Sequence, residues 1–438
     1  MAEGWSQAPL PSVVWFQEGP GILAVDFHEQ GVPLIRLAGL GGHEVSLNKC
    51  NYLDPAKVER RWKHFRVDRG DILVSTSASF GRPAVVGSVA EGAIPYTGII
   101  RFRSASPDLD QGYLKAFLRS AGFMQQAEAA ASGSVISHFG PSHLKRMEIP
   151  LPPLAVQRWI AGFHQTIDDK IELNRRMNET LEAMAQAIFR DWFVDFGPAR
   201  RKTEGATDPV AIIGGLTPDP ARAAELAGLF PATLGENGLP EGWREQPLDQ
   251  IADFLNGLAL QKYPSVVGEP SLPVIKIAEL RNGLTDKSNR ASPQLPPKYI
   301  VRDGDYLFSW SGSLMAKVWT EGDGALNQHL FKVTSNDYPQ WFYAAWVERH
   351  LPEFQRIAAS KATTMGHIQR GHLSGAMTVC PPMTTIEAMS SVLAPLWERR
   401  IHNDLESRTL AETRDYLLPR LMSGAVRVGE AQAQDAAA

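Results

Sequence analysis

The sequence predicts an α+β protein built as an internal repeat: two similar mixed α/β modules separated by an antiparallel pair of long coiled-coil helices, with a pseudo-twofold relation between the halves. Two observations predict it. First, the chain says nearly the same thing twice. Gly4-Trp5-Ser6-Gln7-Ala8-Pro9-Leu10 returns as Gly242-Trp243-Arg244-Glu245-Gln246-Pro247-Leu248, and Pro33-Leu34-Ile35-Arg36-Leu37 returns as Pro273-Val274-Ile275-Lys276-Ile277. Val67-Asp68-Arg69-Gly70-Asp71-Ile72-Leu73-Val74-Ser75 is echoed by Val301-Arg302-Asp303-Gly304-Asp305-Tyr306-Leu307-Phe308-Ser309, and Pro152-Pro153-Leu154 by Pro381-Pro382-Met383. The first pair lies 242 − 4 = 238 residues apart and the last 381 − 152 = 229, so small insertions separate collinear copies. That period far exceeds the roughly 20–50 residues of solenoid repeats, which makes each copy a domain with its own core. Second, each copy runs into one long stretch of helical apolar periodicity.

Composition sets the class. With 438 residues, 44% hydrophobic and 21% charged, the chain reads as an ordinary soluble globular protein of two or three domains. Cys50 and Cys380 have no spacing that would make a metal knuckle or disulfide framework, which predicts a reducing, cytoplasmic setting. Met1-Ala2-Glu3-Gly4-Trp5 lacks the basic start and apolar core of a signal peptide, and no apolar run nears the ~20 residues of a membrane span. A net charge of −4 and a pI near 6.3 do not mark a nucleic-acid binder, so any DNA-binding charge has to be focused locally.

Taken in order, residues 1–150 form the first module. Apolar runs such as Ile72-Leu73-Val74 and Ile99-Ile100-Arg101-Phe102, bounded by Gly and Pro, predict strands, and Tyr113 to Ala131 predicts a helix. Ser12 to Ile22 has no close echo in the second copy. Residues 151–196 predict one helix, entered through Pro152-Pro153 and interrupted after them only by Gly162. Its seam is Ile160, Ile167, Asn174, Leu181 and Ile188, seven apart, with Asn174 as the polar residue that sets register. Residues 197–239 are a Pro- and Gly-rich linker with one helical patch, capped by Asp219 and begun by Pro220. Residues 240–381 repeat the module, with Tyr306-Leu307-Phe308 and Leu330-Phe331-Lys332-Val333 as strands and Gln340 to Ala359 as helix. Residues 382–424 predict the distal helix, with the seam Leu396, Asn403, Leu410 and Leu417 at weaker periodicity. The tail 425–438 offers no apolar face and predicts disorder.

No catalytic constellation accompanies this architecture. The chain has no phosphate loop, no dinucleotide fingerprint, no His-Glu-x-x-His and no paired-cysteine metal site, so no metal is expected. Asp168-Asp169-Lys170, which could suggest a metal-dependent nuclease, falls inside the first long helix and reads as a solvated charged face. His138 with His143, and His367 with His372, cluster at matching repeat positions; structural or surface roles stand beside a role as donors to phosphate or base edges.

Contact chemistry is better served by hydroxyl and basic residues at repeat-equivalent positions. Ser75, Ser77, Ser79 and Arg82 follow the Gly-Asp strand of the first copy, and Ser309, Ser311, Ser313 and Lys317 that of the second. Such loops suit phosphates and base edges, or merely satisfy their own backbone. A second loop pair carries Ser134 and His138 in one copy and Lys361, Thr364, His367 and Arg370 in the other. Arg61 and Lys63 belong to a basic, aromatic cluster that is either a DNA-facing patch or an amphipathic surface. Equivalent scaffolds with different loop residues would read different sequences.

From Leu151-Pro152-Pro153-Leu154-Ala155-Val156-Gln157, through Ile167-Asp168-Asp169-Lys170-Ile171-Glu172-Leu173-Asn174-Arg175, to Asp191-Trp192-Phe193-Val194-Asp195-Phe196, the chain resembles the central region of the specificity subunits of Type I restriction-modification systems. Gly238-Leu239-Pro240-Glu241-Gly242-Trp243 resembles the family's approach to a second target-recognition domain, and Arg414-Asp415-Tyr416-Leu417-Leu418-Pro419-Arg420-Leu421 its distal helix end. The resemblance implies two target-recognition domains, each reading one half of a bipartite double-stranded DNA target, with the helix pair setting the spacer. It also implies two modification subunits that carry the adenine methyltransferase chemistry and two restriction subunits that translocate and cleave. The partners would use S-adenosylmethionine, ATP and Mg, and this chain would bind no cofactor and catalyse nothing. Trp192, Phe193 and Phe196 are then either partner-interface residues or an aromatic plug against the recognition domain.

Other readings predict differently. A related system with modification and cleavage fused in one polypeptide would use the same kind of subunit. A self-contained nuclease would cleave without partners. A protein-binding coiled-coil scaffold would not retain DNA selectively.

Overall fold

The computed structural model describes residues 5–76, 83–131, 139–360 and 366–429. The chain divides into two compact units, Met1–Leu173 with Thr409–Ala438, and Asn174–Arg408. Each unit holds one mixed α/β module and part of each long helix.

The strands of the first unit are β1 (Ser6–Pro9), β2 (Val14–Glu18), β3 (Val32–Ile35), β4 (Asn51–Leu53), β5 (Ile72–Ser75), β6 (Ala84–Val85), β7 (Ile94–Pro95), β8 (Ile99–Ser104) and β9 (Glu148–Leu151). An antiparallel sheet runs in the order β2-β8-β5-β6, a second sheet in the order β4-β3-β7 with β3 and β7 parallel, and β1 pairs with β9. The second unit holds β10 (Arg244–Pro247), β11 (Asp253–Asn256), β12 (Leu272–Ile275), β13 (Arg290–Ala291), β14 (Ile300–Val301), β15 (Tyr306–Ser309), β16 (Ala316–Val318), β17 (Gly324–Leu326), β18 (Leu330–Thr334) and β19 (Met377–Cys380). Its sheets run β11-β18-β15-β16 and β13-β12-β17-β14, with β12 and β17 parallel, and β10 pairs with β19. Strand for strand the order is the same, apart from the added β14.

The echoed motif around the glycine-aspartate pair explains itself here. Gly70 and Gly304 take φ of 89° and 92°, which a side chain resists. The following aspartates fold back: Asp71 Oδ2 accepts from the Asp68 amide at 2.8 Å, and Asp305 Oδ2 from the Arg302 amide at 2.7 Å. Each carboxylate is then met by a cation from the neighbouring strand, Arg103 at 2.7 Å and Lys332 at 2.7 Å. The strands that follow are apolar throughout because both faces are covered. Side chains alternate across a strand, so Ile72 and Val74 enter one core and Leu73 another, as Tyr306 and Phe308 do against Leu307.

The segment Ser12 to Ile22, without an echo in sequence, has one in structure. Glu18 is followed by Gly19 as Asn256 is by Gly257, and a Cβ would lie 2.2 Å from the Pro95 carbonyl oxygen at the first and 2.3 Å from that of Asn327 at the second. Backbone crowding, rather than side-chain identity, is what repeats.

The helix expected from Tyr113 to Ala131 is two, α1 (Gln111–Arg119) and α2 (Ala121–Ala131). Ser120 breaks it, its hydroxyl donating to the Phe117 carbonyl at 2.7 Å and accepting from the Phe123 amide at 3.3 Å, a serine's competition with the helix backbone. The first long helix, α3 (Leu154–Phe189), ends in a π-turn at Arg190–Val194. α4 (Gln340–Ser360) belongs to the second module, and α5 (Met383–Met422) is the distal helix.

Within each unit α3 and α5 run antiparallel. In the first, Ile160 shares a core with Leu418 and Leu421, and Asp168 meets Arg414. In the second, Asn174 donates to Glu406 at 2.8 Å, Asn178 to Asp404 at 2.8 Å, and Arg400 to Glu182 at 3.0 Å. On α3, Ile160, Ile167, Asn174 and Ile188 are buried and Leu181 half-buried; on α5, Asn403 is buried but Leu396, Leu410 and Leu417 are only half-buried. The residues α5 buries instead include Met389, Leu393, Trp397, Leu418 and Leu421. A straight helix drifts ~20° per heptad against a seven-residue stripe, and α5 also fills the cores of the modules.

The linker 197–239 is more structured than its composition predicts. Helices Gly197–Thr203, Pro209–Ile212 and Pro220–Gly228 bury Ile212, Ile213, Ala223, Leu226 and Ala227, with Val392 of α5 packed against them. Asp208 and Asp219 cap two of these helices ahead of a proline, and the apolar face between the caps is enough for a small core.

Candidate nucleic-acid interface

In each unit the sheet that contains β5 or β15 ends where that strand runs out, and polar and aromatic side chains converge there. In the second unit, Trp310 follows β15. Its indole nitrogen donates to Asn256 Oδ1 at 2.9 Å, at the end of β11, and to the Gln328 carbonyl at 3.2 Å. Around that ring stand His329 at 5.8 Å, Phe331 at 6.0 Å and His367 at 6.3 Å between centroids. The Ser311 hydroxyl lies 2.9 Å from His329 Nδ1. Backbone bonds from Gly312 to Gly366 and from Ile368 to Trp310 bring the His367 strand alongside. A partly exposed indole ringed by amide, imidazole and hydroxyl groups can stack on a base and hydrogen-bond its edge.

The first unit presents the same backbone with other chemistry. Glu18 stands where Asn256 does, and its Oε1 accepts from the Gly98 amide at 3.2 Å. Strand register, which sets Ser75 against Ile99 and Ser309 against Leu330, places Gly98 at the position of His329 and Thr76 at that of Trp310. Tyr96 matches Asn327: their amides bond the carbonyls of Ile35 and Ile275, at 3.0 and 3.3 Å.

Several residues singled out from sequence sit elsewhere than on a free surface. Ser309 is fully buried, its hydroxyl donating to the Ser313 carbonyl at 2.8 Å and accepting from the Met315 amide at 2.9 Å; its loop satisfies its own backbone. Ser75 and Ser311 are also buried. Lys317 is half-buried and lines a cavity with Glu182, Glu348, Arg400 and Asp404. Ser313 is exposed, His367 half-buried, and Arg370 exposed with one Nη donating to the Phe254 carbonyl at 3.3 Å. Arg61 and Lys63 are exposed on a helical segment whose other side buries Val58 and Trp62, and Lys63 pairs with Glu59. Ser77, Ser79, Arg82, Ser134, His138, Lys361 and Thr364 lie outside the described residues.

His143 and His372 are caps. In each, Nδ1 accepts from the backbone amide three residues earlier, Gly140 at 3.0 Å and Gln369 at 2.9 Å, at the start of a short helix. Trp192, Phe193 and Phe196 are buried in an aromatic core with Phe230, Trp243, Trp341 and Phe342, which makes them the plug of the two readings and removes them as an exposed partner surface. Asp168 is not on a solvated face. It is 5% exposed and faces Arg414, Arg119 and His164. Among the described residues no three His, Cys, Asp or Glu side chains come together as a metal site, and no helix is long and apolar enough to cross a membrane.

Sequence reasoning passed over Asn256, His329 and Gln328, and in the first unit Glu18 and Tyr96. They lie far apart in the chain, and only strand pairing brings them to one end of a sheet. Their signal is the repeat itself: the motif carrying β5 and β15 is echoed, and the strands that pair with it keep the same register in both copies.

Residues 56–183 match the family model described as the Type I restriction modification DNA specificity domain. The Type I restriction enzyme HindI specificity subunit of Haemophilus influenzae is 25% identical over 317 residues, 64% of this chain and 69% of that protein. The MjaIX specificity subunit of Methanocaldococcus jannaschii is 23% identical over 412 residues, 91% of this chain and 88% of that one. The crystal structure of a Type I restriction-modification system S subunit from M. genitalium matches with a TM-score of 0.51, covering 95% of this chain and 96% of that one at 14% identity, a likeness of fold.

Proposed function

Since the chain belongs to the specificity subunits of Type I restriction-modification systems, we propose that residues 1–150 and 240–381 are target-recognition domains, each reading one half of a bipartite DNA sequence. The helix pair sets the unread spacer and docks two modification subunits, and two restriction subunits complete the cytoplasmic assembly. The chain itself is non-catalytic and binds no cofactor; S-adenosylmethionine, ATP and Mg are used by the partners.

One observation carries this reading. The same strand order and register recur in both units with different side chains at matching positions, Glu18, Thr76 and Gly98 against Asn256, Trp310 and His329. A scaffold kept while its contact chemistry changes suits two half-sites of different sequence, because each base pair shows its own pattern of donors and acceptors. Of the contact residues expected from sequence, those among the described residues that stay exposed or half-buried are Arg61, Lys63, Ser313, His367 and Arg370, with Lys317 at the cavity described above.

The test is to map methylated adenines in the host genome with and without this gene. Methylation should vanish at one two-part motif with a fixed spacer. Exchanging residues 240–380 for those of a relative should then change one half of that motif and leave the other intact. A methylating host whose pattern is indifferent to the gene would contradict the proposal.

A further inference from the structure

Two cations are held at the sheet ends without being neutralised, and they are the same residue of the repeat. Arg36 follows β3 and Lys276 follows β12, one position after the residues that pair in parallel with β7 and β17, Ile35 with Pro95 and Ile275 with Leu326. Each is half-buried. Arg36 Nη1 donates to Asn51 Oδ1 at 2.9 Å, and Lys276 Nζ donates to Asn289 Oδ1. The Arg36 guanidinium also lies over the rings of Tyr96, 4.4 Å from its centroid, and Phe27, at 5.3 Å. Among the described residues neither cation has an ion-pairing carboxylate, whereas Arg103, Lys332 and Arg408 are met by Asp71, Asp305 and Asp303. Through Tyr96 and Asn327, whose amides bond Ile35 and Ile275, both positions adjoin the clusters described above.

A neutral amide that orders a cation and leaves its charge intact prepares it for an anionic or acceptor-rich ligand. On the reading of the chain as a DNA-specificity subunit, we propose that Arg36 and Lys276 are DNA-contacting residues of the first and second recognition domains. Arg36 has one edge occupied by Asn51 and its face on an aromatic ring; its remaining N–H groups suit a ligand with two adjacent acceptors, either phosphate oxygens or O6 and N7 of a guanine. Lys276, a point charge on a flexible stem, takes a phosphate.

The experiment uses the full chain assembled with its modification subunits. Binding is measured to duplexes carrying the methylation motif, and to the motif with each base pair changed in turn, across a series of salt concentrations. Arg36→Ala should weaken binding to the motif about 5- to 150-fold, the range of one good bidentate contact. If guanine is the ligand, the loss is confined to one base pair of one half-site and Arg36→Lys does not restore it. If phosphate is the ligand, all motif variants weaken alike, the slope of log affinity against log salt falls by about 1, and Arg36→Lys restores binding. Asn51→Asp sets a carboxylate beside Arg36 while keeping the guanidinium, and should cause a similar loss in a chain whose melting temperature is unchanged. Lys276→Ala should follow the phosphate pattern. Arg36→Ala and Lys276→Ala chains with wild-type affinity, salt slope and base preference would overturn the proposal while the functional reading stands. A wild-type assembly with no preference for its motif would overturn that reading, and this inference with it.

Discussion

Asp168 and Arg414, 246 residues apart in sequence, share a buried hydrogen bond of 2.9 Å between carboxylate and guanidinium. Arg119 Nη1 approaches the same carboxylate at 3.3 Å and His164 Nδ1 at 3.6 Å. α1, α3 and α5 therefore meet on one negative charge. Burial works against that charge, but the His164, Arg119 and Arg414 side chains outweigh it and hold the Asp168 carboxyl below the ordinary range.

Removing the charge should take the shared carboxylate from between the Arg119 and Arg414 guanidiniums in a poorly solvated site, with Arg414 still paired to Asp415 at 2.8 Å. Asp168→Asn is expected to lower stability by about 3–5 kcal/mol, the usual effect of breaking a buried pair from one side. Urea unfolding of the full chain would measure it. A loss under about 1 kcal/mol would mean that water screens the cluster.

His164 sets a pH dependence of its own. Burial, first, and the cations Arg119, Lys115 and Arg414 push its imidazole down to about 4 against the opposing pull of Asp168, from an ordinary value of 6.5. The unfolded chain then binds a proton that the folded chain refuses, so stability falls as pH drops from 6.5 towards 4 and is level above 6.5. The decline attributable to this residue is on the order of 3 kcal/mol. His164→Gln should flatten the stability curve in that window; a curve parallel to wild type would assign the decline to other groups.

Glu348 should behave in the opposite sense. It lines a cavity with Phe189, Trp341, Leu393 and Trp397, and burial raises its carboxyl to about 7, with Arg400 opposing and Glu182 adding. The folded chain keeps a proton that the unfolded chain loses, so stability falls as pH rises from about 4.5 to about 7. Glu348→Gln is expected to raise stability above pH 7 by up to roughly 3 kcal/mol, and to change little at pH 4. An equal effect at both ends would point to altered packing instead.

Gly19 and Gly257 cannot accept a side chain without moving backbone. Gly19→Ala or Gly257→Ala should destabilise by about 1–3 kcal/mol, as overpacking does, and lower the thermal midpoint. Midpoints matching wild type in both variants would show that the strand ends yield freely.

Much of this was legible in the chain. The echo Asp68-Arg69-Gly70-Asp71 against Arg302-Asp303-Gly304-Asp305 marks a turn whose geometry is local: a positive φ and an aspartate folded onto an amide three residues back. The long helices are legible for the same reason, since their periodicity is short-range. Residues whose role depends on what packs over them were not. Asp168 and Lys170 look alike in a helical charge run, yet Asp168 is buried because α1 and α5 cover its side of α3. Ser309 and Ser313 look alike in a serine-rich loop, yet one hydroxyl is turned inward and the other residue is exposed.

What the sequence by itself determined is the repeat, its two mixed α/β modules and the helices that follow them, because similar local patterns impose similar turns, strands and helices wherever they occur. Only the tertiary structure decided which side chains stand at the end of each sheet. Glu18, Arg36, Thr76 and Tyr96 in one unit, and Asn256, Lys276, Trp310 and His329 in the other, come from strands and loops distant in the chain. Strand register places them, and register is set by which apolar faces can be buried together, a property of the folded core that no single stretch of the sequence carries.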